Sequence, residues 1–204
     1  MYRSVFIIIL IIAAFPGYGQ KFNGGAMAGM AASQVAGDMY AGYNKVGPLA
    51  GFFVNYYPSP QSSLQMELYY VQKGSRKSAD VVEQDYESYL LRLNYVELPL
   101  FFRYHIGWFA IEAGPSLAFL MNGYEEKNGE EVMADDFAGM TFQLNAGIMF
   151  SFARNWRFHI RTNNSFTNLR NQTYTGHVPR LWTHGQFNDV IMFHIAYQFI
   201  HFGR

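Results

Sequence analysis

The chain has 204 residues, with 15 basic and 15 acidic side chains, no cysteine and 18% aromatic residues. A net charge of zero gives no clustered excess of Lys and Arg for a nucleic-acid backbone, and the lack of cysteine excludes disulfides, cysteine-based zinc sites and thiol nucleophiles. Charged residues make up 15%, below the roughly 25% of an average soluble domain, although half of the chain is hydrophobic. Apolar and polar residues must therefore alternate finely.

The first twenty residues are typical of a secretory signal peptide. Arg3 precedes an apolar run from Val5 to Phe15, and Pro16 and Gly19 follow it. This run is too short for a transmembrane helix, which needs about 20 apolar residues. We expect cleavage after Gly19, so that residues 1–19 are removed and residues 20–204 form one exported domain. A retained anchor is the alternative.

The rest of the chain alternates with period two, as half-buried β-strands do. On the segment from Leu64, for example, the apolar Leu64, Met66 and Leu68 alternate with Gln65 and Glu67. The alternation predicts eight strands, at about residues 24–33, 46–57, 62–74, 88–105, 108–122, 137–152, 155–169 and 187–202.

The fourth predicted strand changes phase along its length. Its apolar residues are odd-numbered at Leu91 and Leu93 but even-numbered at Leu98 and Leu100. We expect a β-bulge between Tyr95 and Pro99, because a bulge shifts the alternation by one residue.

The connections between strands are alternately short and long. Residues 58–61, 106–107 and 153–154 form short turns, whereas the other gaps have about 12 to 17 residues. Short periplasmic turns and long extracellular loops are typical of outer-membrane barrels, and closure leaves no unpaired strand edge in lipid. The sequence thus predicts an all-β protein, an eight-stranded antiparallel up-and-down transmembrane β-barrel, in the outer membrane of a Gram-negative bacterium.

Alternation alone does not say which face of a barrel is outside. Long strands, many aromatic residues and charges of both signs on the polar face favour a lipid-facing apolar surface and a polar lumen filled by side chains. The alternative is a soluble, lipocalin-like barrel with its apolar face inside, binding a small hydrophobic ligand. We expect the charged side chains of the lumen to pair with one another. They are Glu67, Lys73, Arg92, Glu97, Arg103, Glu112, Arg157 and Arg161. Some of these could instead lie at the barrel ends in water.

The final strand alternates aromatic and apolar residues up to Tyr197 and Phe199. This pattern resembles the C-terminal signal by which the barrel-assembly machinery recognises outer-membrane barrels. Phe202 offers a second position for the same signal, closer to the C-terminus.

Several stretches resemble the PorT-like, porin-family outer-membrane barrels of Bacteroidetes. The most specific are the run from Glu67 to Gly74 and the Y-V-E-L-P-L run from Tyr95 to Leu100, and further matches begin at Gly25, Gly51 and Ile111. The resemblance implies the barrel fold and the outer membrane, but the family shares no reaction. Its named member is linked to a protein-secretion system.

No residue set predicts catalysis, a metal site or a cofactor. The six histidines lack a metal-ligand spacing, although His159 and His194 could meet in the lumen as a packing pair. The loop from 122 to 136 is acidic and could bind a divalent cation, but a solvated loop is the commoner case. The last long loop is basic and aromatic, which suits lipid headgroups or a protein partner.

The function expected from these features is that of a monomeric outer-membrane barrel with a filled lumen, which has a structural or interaction role through its long loops. Its expected partners are membrane lipid, the assembly machinery and an extracellular or periplasmic protein. The alternatives are the soluble ligand-binding barrel, a component of a protein-secretion system, and a lipid-modifying enzyme that would use His177, His184 and Asp189.

Overall fold

A computed structural model describes residues 22–38, 40, 42–79, 84–132, 137–170, 178–180 and 183–201. The predicted signal peptide lies outside these residues. The described part of the chain contains no helix that is long and apolar enough to cross a membrane.

Eight long strands account for most of the described chain. They are β1 (Phe22–Ala36), β2 (Lys45–Ser59), β3 (Ser62–Lys77), β4 (Tyr89–Ile106), β5 (Phe109–Lys127), β7 (Met140–Ser151), β8 (Trp156–Ser165) and β11 (Phe187–His201). Three short strands belong to the long connections: β6 (Glu130–Val132), β9 (Val178–Arg180) and β10 (Thr183–Gly185).

The long strands form a closed ring. Each pairs antiparallel with its neighbour in the order β1, β2, β3, β4, β5, β7, β8, β11, and β11 pairs with β1 to close the barrel. Within the described residues, tight turns join β2 to β3, β4 to β5 and β7 to β8, and the other connections are longer. The predicted eight-stranded up-and-down barrel is therefore confirmed.

The apolar side chains face outward. Phe52 is 65% exposed, Met66 54% and Leu100 49%, whereas the alternate residues Glu67 and Arg103 are almost completely buried. A soluble barrel would have the opposite orientation, because water would favour the polar face outside. The lipocalin-like alternative is thus wrong, and the outward apolar surface is the lipid-facing belt of a membrane barrel.

The prediction that a bulge in β4 causes the phase change is wrong. All odd-numbered residues of β4 from Tyr89 to Arg103 are buried, so the strand keeps one orientation throughout. The apolar residues change from odd to even numbers because the inward residues are apolar at Leu91 and Leu93 but polar nearer the periplasm, where only the outward residues are apolar. A bulge does occur next to this region, but in β5, where Met121 is the additional residue opposite Asn94 and Tyr95.

Close approach of two strands requires a glycine at position 114. A Cβ atom on Gly114 would lie 1.9 Å from the backbone oxygen of Leu100 on β4. We therefore expect Gly114→Ala to lower the free energy of unfolding by about 1–3 kcal/mol or more, since β4 must move to admit the methyl group.

Urea unfolding of the folded barrel in detergent measures this loss. Gly139→Ala is the matched control, because a Cβ at Gly139 meets no atom within 4 Å. Equal unfolding midpoints for the two variants would contradict the close approach.

Candidate functional site

A buried ion-pair network crosses the middle of the lumen. Arg161 on β8 forms a bidentate pair with Glu67 on β3, with both Nη atoms 2.7 Å from carboxylate oxygens. These two strands lie on opposite sides of the eight-stranded ring. One arginine side chain therefore bridges the diameter of the barrel.

Glu112 on β5 connects Arg161 to a second arginine. Its Oε1 accepts a hydrogen bond from Arg161 Nε, and its Oε2 accepts bonds of 2.9 Å and 2.6 Å from Nε and Nη2 of Arg103. The guanidinium of Arg161 also lies 4.0 Å from the centroid of the Phe101 ring. Two guanidinium groups on one carboxylate thus connect the three strands β4, β5 and β8.

A second cluster lies beside the first. Lys73 on β3 forms an ion pair with Glu97 on β4, and its ammonium donates to Gln143 Oε1 at 2.7 Å and to Asn163 Oδ1 at 2.6 Å. Glu97 also accepts a 2.7 Å hydrogen bond from the Tyr69 hydroxyl. Buried charges are stable only when paired and hydrogen-bonded, and this cluster meets both conditions.

The two clusters together are electrically balanced. Three carboxylates face three cations, and all six side chains are at most 1% exposed. A balanced, desolvated network leaves no net charge that would attract a permeating ion. The six residues are Glu67, Glu97, Glu112, Lys73, Arg103 and Arg161.

Two of the residues expected in the lumen network lie elsewhere. Arg92 is exposed on the outer face of β4, where its guanidinium lies 5.6 Å from the centroid of the Tyr124 ring. The prediction for Arg92 is wrong because Leu91 and Leu93, on either side of it, take the inward positions. Arg157 is half-buried at the periplasmic end of β8, next to the turn after β7, and forms no ion pair among the described residues.

The two lumen histidines meet as the sequence suggested. The rings of His159 and His194 stack with their centroids 4.5 Å apart, and His159 Nδ1 lies 3.0 Å from Glu112 Oε1. The described residues contain no group of three or more His, Asp and Glu side chains placed to hold a metal ion. The contact between His159 and Glu112 places the pair against the ion-pair network.

Above the network, toward the long loops, the lumen is filled by apolar side chains. The packed residues include Leu49, Val71, Leu91, Leu93, Tyr95 and Val190 from the strands and Phe137 and Leu169 from the loops. This layer was not predicted. The odd-numbered apolar residues of β4 were its signal in the sequence.

Two arginines fasten the long loops over this apolar layer. Arg170 Nη2 contacts both carboxylate oxygens of Glu125 at 2.9 Å, and the Tyr89 hydroxyl donates to the same Glu125 at 2.8 Å. Arg180 binds Asp189 at 2.7 Å and 2.8 Å and lies 5.0 Å from the centroid of the Phe187 ring. These two pairs tie described parts of the long connections to β5 and β11.

These clamps engage several of the candidate loop residues. Glu125, part of the acidic loop, is committed to Arg170, whereas Glu130 and Glu131 are exposed. Asp189, one of the three residues of the enzyme alternative, is paired with Arg180. His184 is exposed on β10, and His177 lies outside the described residues.

The surroundings of two loop carboxyl groups change their pKa values. Burial raises the pKa of Asp38, although its carboxylate accepts a 2.8 Å hydrogen bond from the Tyr40 amide. A hydrogen bond from the Lys77 ammonium lowers the pKa of Asp85. Lys77 is thus engaged by the loop that follows its own strand.

The two assembly-signal residues lie on β11 with their side chains outward. Tyr197 is 37% exposed and Phe199 51%, and the Tyr197 ring packs 4.7 Å from that of Trp156. Aromatic side chains at this end of the barrel fit the interfacial girdle of membrane barrels. Phe202, the alternative end of the signal, lies outside the described residues.

The comparisons with known proteins agree with this architecture. Residues 18–171 match the family described as the outer membrane protein beta-barrel domain. The chain belongs to this family. The protein is accordingly located in the outer membrane of a Gram-negative bacterium. No curated protein matches the chain at a significant level.

Solved structures share the fold at low sequence identity. The Neisserial surface protein A is 9% identical with a TM-score of 0.56, and the match covers 87% of this chain and 97% of that one. The attachment invasion locus protein of Yersinia pestis, Ail, is 12% identical with a TM-score of 0.51, covering 88% of this chain and 99% of that one. At such identities the likeness concerns the fold alone.

Proposed function

We propose that this outer-membrane barrel is a closed, monomeric scaffold without catalysis, which acts through its extracellular loops by binding another macromolecule. The observation that carries the proposal is the filled lumen: charge network, apolar layer and loop clamps lie one above another. A lumen of this kind offers no path for a solute, so the surface available for function is the outer one. A closed ring also leaves no strand edge to pair with a second copy.

The narrower PorT-like resemblance concerns the same lumen. The run from Glu67 to Gly74 supplies Glu67, Tyr69 and Lys73, and the run from Tyr95 to Leu100 supplies Glu97. The inward residues of these motifs are therefore explained by packing inside the barrel. A link to a protein-secretion system rests on the resemblance alone, and we offer it as the class of assembly to search first.

Planar-bilayer recording tests the closed lumen. We expect the purified barrel to insert without steady conductance steps, because the network leaves no water-filled path. A known porin of the outer membrane serves as the positive control. Reproducible porin-sized steps from this protein would contradict a closed lumen.

Photo-crosslinking in intact cells tests the interaction role. A photoreactive amino acid at His184, exposed on the last extracellular connection, is expected to give protein adducts. The same residue at Arg154, in the exposed turn between β7 and β8, is the control from the opposite end of the barrel. The absence of adducts from His184 and from similar positions on the other extracellular loops would overturn the role.

A further inference from the structure

A basic cleft of about 550 Å³ lies at the extracellular end of the barrel wall, where β2, β3 and β4 meet. Among the described residues that line it, four are cationic and one, Glu126, is a carboxylate. The cations are Lys45, Arg76, Lys77 and Arg92. This cleft belongs neither to the lumen network nor to the two arginine clamps over the lumen.

The strand pairing creates the cleft. The β2–β3 ladder ends at the pair Leu49–Val71, so residues 45–48 of β2 are not paired with the end of β3. On the other side, β3 and β4 stay paired up to Lys77 and Tyr89. The two strands still lie in contact at Gly47, where an added Cβ atom would be 2.2 Å from the Gln72 oxygen, so the cleft lies beyond this point, between the start of β2 and the end of β3.

Gly74 lies on β3 between two lining residues of the cleft, Gln72 and Arg76. It pairs with Arg92 on β4. Its φ of +140° favours glycine, and a Cβ atom on Gly74 would lie only 2.0 Å from the Leu91 oxygen. Arg76 pairs with Leu90, which makes Arg76 and Arg92 diagonal neighbours on the outer face of the sheet.

Three of the four cations form no ion pair with a carboxylate among the described residues. They are Lys45, Arg76 and Arg92. Lys77, by contrast, is paired with Asp85 and Glu87. Clustered like charges repel one another, so a bound anion would stabilise this arrangement.

Hydrogen bonds to neighbouring groups position several of the polar side chains that line the cleft. The buried Lys45 ammonium donates to Gln72 Oε1 at 2.7 Å and to the Val46 oxygen at 2.9 Å, which leaves one of its three N–H groups for a ligand. Gln72 in turn donates to Asn94 Oδ1 at 3.0 Å. The Tyr124 hydroxyl holds Glu126 at 2.7 Å.

We propose that this cleft binds a phosphate group carried by a glycolipid of the outer leaflet. Arginine forks and a lysine ammonium are the donors that proteins use for phosphate. The lipid source is favoured by position, because Arg76 and Arg92 project from the outer wall. Apolar contacts lie beside them, since Val46, 59% exposed, and Leu90 also line the cleft. The proposal rests on the outer-membrane location and does not depend on the interaction role of the loops.

Binding of lipid A to the purified barrel in detergent, followed by native mass spectrometry, tests the proposal. The variant Arg76→Gln/Arg92→Gln is expected to bind about ten-fold more weakly, since both guanidinium forks are lost. The control Lys127→Gln/Arg154→Gln removes two exposed cations outside the cleft and is expected to bind within about two-fold of the wild type. Heat-modifiable gel migration checks that each variant is folded, and the single variant Arg92→Gln replaces the double one if that fails.

Two further probes identify the source of the phosphate. Dephosphorylated lipid A is expected to bind as weakly to the wild type as lipid A does to the double variant. Inorganic phosphate alone is expected to bind far more weakly than lipid A. The proposal is overturned if the wild type binds no lipid A, if the double variant binds it normally, if dephosphorylated lipid A binds equally well, or if inorganic phosphate matches lipid A.

Discussion

Replacing Arg161 by methionine is expected to lower the free energy of unfolding by about 3–5 kcal/mol, the usual cost of removing one partner from a buried ion pair. The physical reason is that Glu67 loses its bidentate partner and Glu112 loses one of two, so that buried carboxylates remain uncompensated. Urea titration of the folded barrel in detergent, followed by heat-modifiable migration, measures the loss.

A second substitution separates charge from packing. In Arg161→Met/Glu67→Gln the remaining pairs, Lys73 with Glu97 and Arg103 with Glu112, are balanced again, so we expect part of the lost stability to return. The control Arg154→Met changes an exposed turn residue and is expected to stay within about 0.5 kcal/mol of the wild type. If the double variant were no more stable than Arg161→Met, uncompensated charge would not be the cause.

Replacing Met66 by arginine is expected to cost about 2–4 kcal/mol, the usual penalty for a cation near the middle of the lipid-facing belt. Met66 is 54% exposed between two other outward apolar residues of β3, Leu64 and Leu68. In a lipid bilayer its replacement would place a guanidinium in hydrocarbon. Unfolding by urea from lipid vesicles, where the belt is in contact with acyl chains, is the appropriate measurement.

Val132→Arg is the matched control for the belt. Val132 is 43% exposed, close to the value for Met66, but it lies on the short β6 in an extracellular connection. There the new cation stays in water, and we expect a change within about 0.5 kcal/mol. A similar cost for the two variants would mean that the outward face of β3 is not in lipid.

The two faces of the alternating strands meet different physical requirements. The outward residues match the lipid that surrounds the barrel, and the inward charges pair with one another because burial removes them from water. Variation in the loops and in outward clefts can then change what such a protein binds without disturbing the fold.

Much of the fold could be predicted from the sequence. Period-two alternation, the alternating loop lengths and the even strand number determined an eight-stranded barrel, because these features follow from local geometry and chain connectivity. The lumen positions of Glu67, Arg103, Glu112 and Arg161 could also be expected, since each polar residue alternates with apolar ones.

Other features required the tertiary structure. The pairing of Arg161 with Glu67 depends on strands that are opposite in the closed ring and 94 positions apart in sequence, and alternation carries no information on such register. Arg92 was misplaced because a strand whose inward residues change from polar to apolar looks like a strand that changes phase. The basic cleft could not be predicted for a similar reason: its side chains come from the ends of β2, β3 and β4, and only the three-dimensional pairing brings these strand ends together.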